Sequence, residues 1–396
     1  MRVMLANFTK MIDDSGGLAK VTCDFADEMQ KRGHEVIIVY SDGKDGNFCF
    51  TLNTSIDTYD LRNFQGRKIS YPWYFKIIRE FCRTFSPQLV KNINNKFIEK
   101  YLLKNLSNIF NKFNPDIIIA FQSAATKLLV CDLKVKTPVI TMFHGDLRDY
   151  FYNYPKTEIL SLKKCALCQF LLPSFEEFVK KNLPEIRSIT IGNAVPQFSQ
   201  AADLLKEKEN YKILFIGRLA HNIKRPHLVI EAFAKIANDF PDWIVEIWGA
   251  ENGKLYYENL VSLIKKYNLE NRVFLKGFTN DVEAVLQKGD IFVFPSSFEG
   301  FGMTLAEAMS MGLPVLGYRS CNASSFLIED QVSGLLCDDG IDDLAEKMAT
   351  LMGNRKLRAK MGENARLAMK PYDPRKIWDK WENIMLTTVN KFNRDV

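Results

Sequence analysis

No run of this 396-residue chain is long and uncharged enough to cross a bilayer as a helix, which excludes a protein built on membrane-spanning helices. The opening MRVMLANF is too short an apolar run for a secretory leader and carries no cleavage site, so it is expected to be a first strand. The dinucleotide fingerprint G-x-G-x-x-G is missing. No D-x-D stands in a metal-like setting: Asp13-Asp14 and Asp338-Asp339 read as turns, and Asp342-Asp343 as a helix start. Eight cysteines are scattered through a chain too large to need disulfides, so reduced thiols and a cytoplasmic setting are expected. Cys165 and Cys168 make one C-x-x-C with no second pair and no nearby His, which favours a core position over zinc. Nucleic-acid motifs and short-period repeats are absent as well.

What is present suits two domains, because 396 residues exceed what one core comfortably holds. The net charge of +6 is modest, yet ten basic residues lie between Arg67 and Lys112 against only Glu80 and Glu99. The same stretch carries Tyr71, Trp73, Tyr74, Phe75, Phe81, Phe85 and Phe97. Two readings of it stand. Helices presenting aromatic and basic faces together form a peripheral surface for an anionic membrane. Ordinary amphipathic helices would turn the aromatics inward and leave the lysines solvated.

In chain order, residues 1–6 predict a strand, a glycine turn at Gly16-Gly17 leads into a helix through Gln30, and Glu35 to Tyr40 predict a second strand. His34 reads as a dipole partner at that helix end. Residues 41–66 are polar and turn-rich, with at most one weak strand. Asp116–Phe121 and Pro138–His144 predict buried strands, and His144-Gly145-Asp146 follows at a carboxyl-terminal strand edge, where sites of open parallel sheets gather. Phe170–Ser174 and Ser188–Asn193 complete this half, and the polar, proline-led 196–210 reads as a linker. A second half restarts with the strand Tyr211–Ile216, a loop carrying Gly217, Arg218, Lys224 and Arg225, and a helix after Pro226. Strands follow at Trp243–Trp248, Arg272–Phe278, Asp290–Phe294, Pro314–Gly317 and Gly334–Cys337, with helices at 341–353 and 355–369 and a last helix after Pro374. Asn280 and Asp281 are expected to cap a helix.

The most telling stretch is Phe294–Pro314, FPSSFEGFGMTLAEAMSMGLP. A buried strand ends, a small-residue loop carries Glu299, Gly300 and Gly302, and a strong helix begins near Thr304. Such a loop gathers bare N–H groups and the positive end of a helix dipole, which suits a phosphate. Carboxylates beside an anion site suit sugar hydroxyls, since a carboxylate can accept from a vicinal diol.

Glu299 and Glu307, placed in this context, resemble the E-x7-E signature of retaining family 4 glycosyltransferases with the GT-B fold. The resemblance implies an α/β architecture of two doubly wound, Rossmann-like domains facing a central cleft. An acceptor-side domain over 1–195, the linker 196–210 and a nucleotide-sugar domain over 211–371 are expected, with 372–396 a helix crossing back to the first domain. It also implies that Glu299 contacts donor-sugar hydroxyls, Glu307 the ribose, and the amides of Gly300, Phe301, Gly302, Met303, Thr304 and Leu305 the diphosphate. Arg218 and Lys224 would neutralise that diphosphate, while Arg225 reads as a bystander. Gly277 and Phe278 would lie beside the base, Gly16-Gly17 would let the first loop approach donor phosphate and acceptor, and His144 would reach the donor sugar. Two local departures stand out. Asn193-Ala-Val195 has Ala194 where the family has Gly, making a left-handed backbone less comfortable, and Gly249 with Gly253 replaces a G-x-G turn.

The implied reaction is retaining and metal-independent: a hexose or N-acetylhexosamine moves from a nucleotide sugar, UDP-linked or GDP-linked, to a saccharide or lipid-linked saccharide. The setting implied is cell-surface glycan assembly at the inner face of the cytoplasmic membrane. No cofactor beyond the UDP-sugar co-substrate, and no nucleic acid, is expected. Rivals are a nucleotide-sugar epimerase of related fold, a synthase with a soluble acceptor, and a non-catalytic nucleotide-sugar-binding protein.

Overall fold

The computed structural model describes residues 1–395 other than Ser15, Asp146 and Asn252, and all of their side chains but those of Arg148, Asp149, Tyr150 and Asp395. The chain divides into two compact units. One comprises Met1–Ile191 with Trp378–Val396, the other Gly192–Ile377.

The first unit is built on β1 (Arg2–Asn7), β2 (Glu35–Tyr40), β3 (Asp57–Asp60), the small antiparallel pair β4 (Asn63–Phe64) and β5 (Arg67–Lys68), then β6 (Ile117–Ala120), β7 (Val139–Met142), β8 (Leu167–Phe170) and β9 (Ser188–Thr190). Seven of these form one parallel sheet in the order β3-β2-β1-β6-β7-β8-β9. The central strands are apolar on both faces, as a parallel sheet covered by helices requires: Ile117 to Ala120 are buried without exception. The helix Gly17–Lys31 follows β1, and its Phe25 meets Trp378 and Trp381 of the last helix, Pro374–Asp395, edge to face. His34 does more than face a helix dipole. It is buried, its Nε2 lies 3.1 Å from Glu382 Oε1, and Arg32 donates to the same carboxylate at 2.8 Å.

The weak strand allowed within 41–66 is polar DTYD at 57–60, a true sheet strand tolerated because it is the edge. One reading of this half needs correction. The strand expected at Phe170–Ser174 lies earlier, at Leu167–Phe170, because Pro173 opens a helix, Pro173–Asn182, with its fixed φ at the first turn. Cys165 and Cys168 are free thiols, 3.4 Å apart, at the start of that strand. The basic stretch contains three helices, Trp73–Arg83, Pro87–Tyr101 and Leu103–Phe113. Its aromatics divide. Tyr71, Phe75 and Phe97 pack together, with 4.5 Å between the Tyr71 and Phe97 rings, whereas Trp73, Tyr74, Phe81 and Phe85 are exposed.

The second unit holds β10 (Tyr211–Ile216), β11 (Trp243–Trp248), β12 (Val273–Gly277), β13 (Ile291–Phe294), β14 (Val315–Tyr318) and β15 (Gly334–Cys337), all parallel in the order β12-β11-β10-β13-β14-β15. Its core is continuous from Ile213 and Phe215 through Val245 and Ile247 to Val293 and Met348. The order reverses between β10 and β13, so the loops leaving these two neighbours frame a crevice at the switch point, where open α/β sheets bind ligands. Ala194 does not adopt positive φ, so this turn works without a left-handed residue there. Val195 instead donates its N–H to the Tyr372 carbonyl at 2.9 Å.

Candidate active site

At the switch point of the second unit, the loop after β10 and the loop after β13 are stitched together. Ser297 N–H donates to the Ile223 carbonyl and Ser297 Oγ–H to the Asn222 carbonyl, both at 2.8 Å. Arg225 Nε donates to the Pro295 carbonyl at 2.7 Å. Arg225 therefore braces the two loops and is no bystander. It sits at φ +50, just before Pro226 and the helix Pro226–Ile236, with its guanidinium over the Tyr318 ring. A bulky residue held left-handed before proline is disfavoured in isolation, and the Pro295 contact offsets that cost. None of this was readable in the sequence, because the partners lie far along the chain.

The stitch brings Lys224 and Glu299 together as an ion pair, with side chains 16% and 17% exposed. Lys224 is the partner of Glu299 Oε1, which is otherwise shut off from water. Lys224 Nζ also lies 5.5 Å from the Phe294 ring centre. Beyond Glu299, Gly302 turns the chain at φ +81 and the helix Met303–Met311 begins. Only glycine adopts that φ without penalty, and an added Cβ would crowd Ala323 and Phe294 at 3.3 Å. The first helical turn leaves the N–H groups of Met303, Thr304 and Leu305 outside the intrahelical ladder, which starts with Ala306 N–H on Gly302 O. Beside them, Thr304 Oγ1 and Ser296 Oγ are buried without a partner among the described residues. Buried polar atoms are normally satisfied, so two orphaned hydroxyls beside free helix amides suit polar groups from outside the protein. Ser296 is a residue sequence reasoning did not single out; its only signal was the small-residue turn after Phe294.

Phe301 and Leu305 point inward, Phe301 edge-on to Tyr372, so their backbones alone are available to a ligand. Glu307 is buried in the second turn of the helix. Arg218, at the exit of β10, is exposed and carries no partner among the described residues. Gly217, Gly249 and Gly277 end three adjacent strands, with Gly217 N–H donating to Trp248 O and Gly249 N–H to Gly277 O. A Cβ on Gly249 would sit 1.9 Å from the Gly217 carbonyl oxygen, so this position accepts glycine only. Gly277 has φ +75 with open space beside it, and Phe278 is exposed. Asp281, not Asn280, caps the next helix, accepting from Ala284 N–H at 2.9 Å. Among the described residues no three His, Cys, Asp or Glu side chains converge as a metal site.

In the first unit, His144 follows β7 by two residues and stacks on Phe121 at 5.6 Å, nearly parallel. Its Nε2 is buried without a partner among the described residues, and burial holds its pKa down at about 4. It is therefore a neutral imidazole at pH 7, able to donate or accept one hydrogen bond but not to act as a cation. Gly16 and Gly17 open the helix after β1, with Gly16 N–H donating to Asp14 at 2.8 Å. Asp146 and the side chains of Arg148 and Asp149 lie outside the described residues.

These features agree with known proteins. The family model "Glycosyl transferases group 1" matches residues 197–368, and the model "Glycosyltransferase Family 4" matches residues 15–171. The chain belongs to the family 4 glycosyltransferases, has the GT-B fold, and transfers a sugar from a nucleotide sugar. An uncharacterized glycosyltransferase of Haemophilus influenzae is 23% identical over 392 residues, covering 96% of this chain and 98% of that protein. The N-acetylgalactosamine-N,N'-diacetylbacillosaminyl-diphospho-undecaprenol 4-alpha-N-acetylgalactosaminyltransferase of Campylobacter jejuni is 28% identical over 259 residues, 65% of this chain and 62% of that protein. Among solved structures, an S. aureus TarM mutant in complex with Fondaparinux, alpha-GlcNAc-glycerol and UDP superposes with a TM-score of 0.75 at 16% identity, covering 97% of this chain and 100% of that chain.

Proposed function

We propose that the protein is a retaining, metal-independent transferase that moves a hexose or N-acetylhexosamine from a UDP-sugar to a saccharide or lipid-linked saccharide. The setting is cell-surface glycan assembly at the inner face of the cytoplasmic membrane. The observation that carries this reading is the Lys224–Glu299 pair beside a helix N-terminus with orphaned Thr304 and Ser296 hydroxyls. A diphosphate supplies acceptors for the amides and draws Lys224 from Glu299, which frees that carboxylate for sugar hydroxyls. The alpha-N-acetylgalactosaminyl transfer and undecaprenol-linked saccharide in the name of the C. jejuni relative support the sugar, the linkage and the acceptor class. UDP in the TarM complex supports the nucleotide. Eight free cysteines suit a reducing compartment.

The second unit handles the donor. Arg218, Lys224 and the amides of Gly300 to Leu305 take the diphosphate, Glu307 the ribose, Gly277 and Phe278 the base edge, and Glu299 the sugar hydroxyls. In the reaction the bond from the anomeric carbon to the β-phosphate oxygen breaks and a bond to the acceptor oxygen forms on the same face. The acceptor proton passes to the departing phosphate, whose growing charge meets Arg218, Lys224 and the helix dipole in the place a divalent cation would otherwise fill. The first unit handles the acceptor, with Gly16-Gly17 giving a side-chain-free approach and neutral His144 offering a hydrogen bond to a donor-sugar hydroxyl. A melting-temperature panel of UDP-, GDP- and ADP-sugars with and without EDTA tests the reading. A shift confined to UDP compounds and indifferent to EDTA is expected. A shift that EDTA abolishes, or one confined to another nucleotide, refutes it, and sugar isomerised without acceptor points to the epimerase.

A further inference from the structure

The helix Trp73–Arg83 buries none of its residues, although it is among the most apolar-faced segments of the first unit. Trp73, Ile77 and Phe81, spaced four apart along one side of the helix, and Phe85, just past its end, are 73%, 60%, 67% and 68% exposed. Phe81 and Phe85 touch each other at 5.0 Å between ring centres, and neither has another aromatic partner among the described residues. The helix is held from its other side, where Phe75 joins Tyr71 and Phe97 and Arg79 lies over the Tyr71 ring. The segment thus has two aromatic sets, one packed and one unpartnered. A contiguous row of large apolar side chains in water marks an interaction site.

The charge around the row identifies what covers it. Ten basic residues between Arg67 and Lys112 face two acidic ones. Both acids are already engaged, Glu80 by Arg79 and Arg83 and Glu99 by Lys127. A second copy of the chain would bring the same positive charge against itself. An anionic bilayer offers phosphates for the lysines and an acyl boundary for the row, and an amphipathic helix with basic flanks lies in such an interface. We infer that this helix is a monotopic anchor whose apolar row inserts into the headgroup–acyl boundary of an anionic phospholipid membrane. The inference extends the reading of a lipid-linked acceptor, and it rests on residues distinct from the donor site.

Flotation of the full chain with vesicles of phosphatidylglycerol and phosphatidylethanolamine, against phosphatidylcholine alone, tests it. The protein is expected to float with the anionic vesicles at about 0.1 M salt and to remain partly bound at about 1 M, where the screening length falls from ~10 Å to ~3 Å. Phe81→Glu with Phe85→Glu is expected to lower partition by at least ~10-fold, given what each inserted Phe contributes. The pair Trp73→Ser with Ile77→Ser should do the same without added charge. Both variants should keep the UDP-dependent melting shift, which shows that they fold. Complete release at high salt with no effect of either variant reduces the surface to electrostatic contact and overturns insertion. Absence of flotation with every vesicle overturns the inference, as does self-association that the variants abolish in the absence of lipid binding. Failure of the donor assignment would appear in the UDP shift alone, leaving flotation intact.

Discussion

Lys224 and Glu299 make opposite demands on the two stages of the reaction. Before the donor binds, each satisfies the other. The pair is partly buried, so replacing Lys224 by alanine leaves a carboxylate with poor access to water, at a cost of about 1–3 kcal/mol. For a unit of this size that is a fall in melting temperature of roughly 2–4 °C per kcal/mol. With UDP present the loss compounds, because one charge-assisted contact to the diphosphate, worth about 1.5–3 kcal/mol, goes too. The dissociation constant should rise by ~10- to 100-fold, and turnover should fall by ~100-fold or more as leaving-group charge goes unmet. Glu299→Gln should act differently. UDP lacks the transferred hexose, so Glu299 offers it nothing and only competes for Lys224. Releasing Lys224 should tighten UDP by a few-fold, about 1 kcal/mol, while transfer of the sugar collapses. Calorimetric titration of UDP and a coupled assay of UDP release read both effects. Weaker UDP binding by Glu299→Gln, or a Lys224→Ala enzyme with undiminished UDP affinity, would refute the reasoning.

Two further outcomes follow from features outside that pair. Burial holds His144 near pH 4 against an ordinary 6.5, so between those values the unfolded chain takes up a proton that the folded chain refuses; stability is whole above 6.5 and falls as the pH drops through the window, by up to roughly 3 kcal/mol from this residue. His144→Gln should flatten, though not abolish, the acid-side fall in melting temperature, since burial also holds His227 at about 4; an unchanged slope contradicts the burial argument. Gly249→Ala should cost at least ~3 kcal/mol or prevent soluble expression, because its Cβ would meet the Gly217 carbonyl at 1.9 Å, and a melting temperature within 2 °C of the parent would show that the strand ends can part.

The donor half was legible because its signals are local. An apolar run, a glycine that must turn left-handed and a good helix former occur within twenty residues of one another, and β13, Gly302 and the helix Met303–Met311 appear where that pattern puts them. What escaped was long-range or ambiguous. Arg225 has a loop's composition, and its role comes from Pro295, seventy residues on. His34 finds Glu382 nearly at the other end of the chain. In the basic stretch the period is plain, but Phe75 and Phe81 are equally apolar, and no periodicity says which of two greasy sides meets the protein. The polar edge strand β3 could be allowed for but not placed for a related reason, since hydropathy reports burial and an edge has little.

The last helix has a consequence for the order of synthesis. It begins in the second unit, yet from Trp378 onward it belongs to the first, where Trp378 and Trp381 close over Phe25 and Glu382 takes Arg32 and His34. A ribosome therefore releases the entire stretch Gly192–Ile377 before the first unit can acquire its final wall. The unit made first is completed last, and the face of Phe25 that meets the two tryptophans waits open while the second unit is made. Nascent chains arrested short of residue 378 should present that face to chaperones, whereas the second unit has all of its own residues in hand.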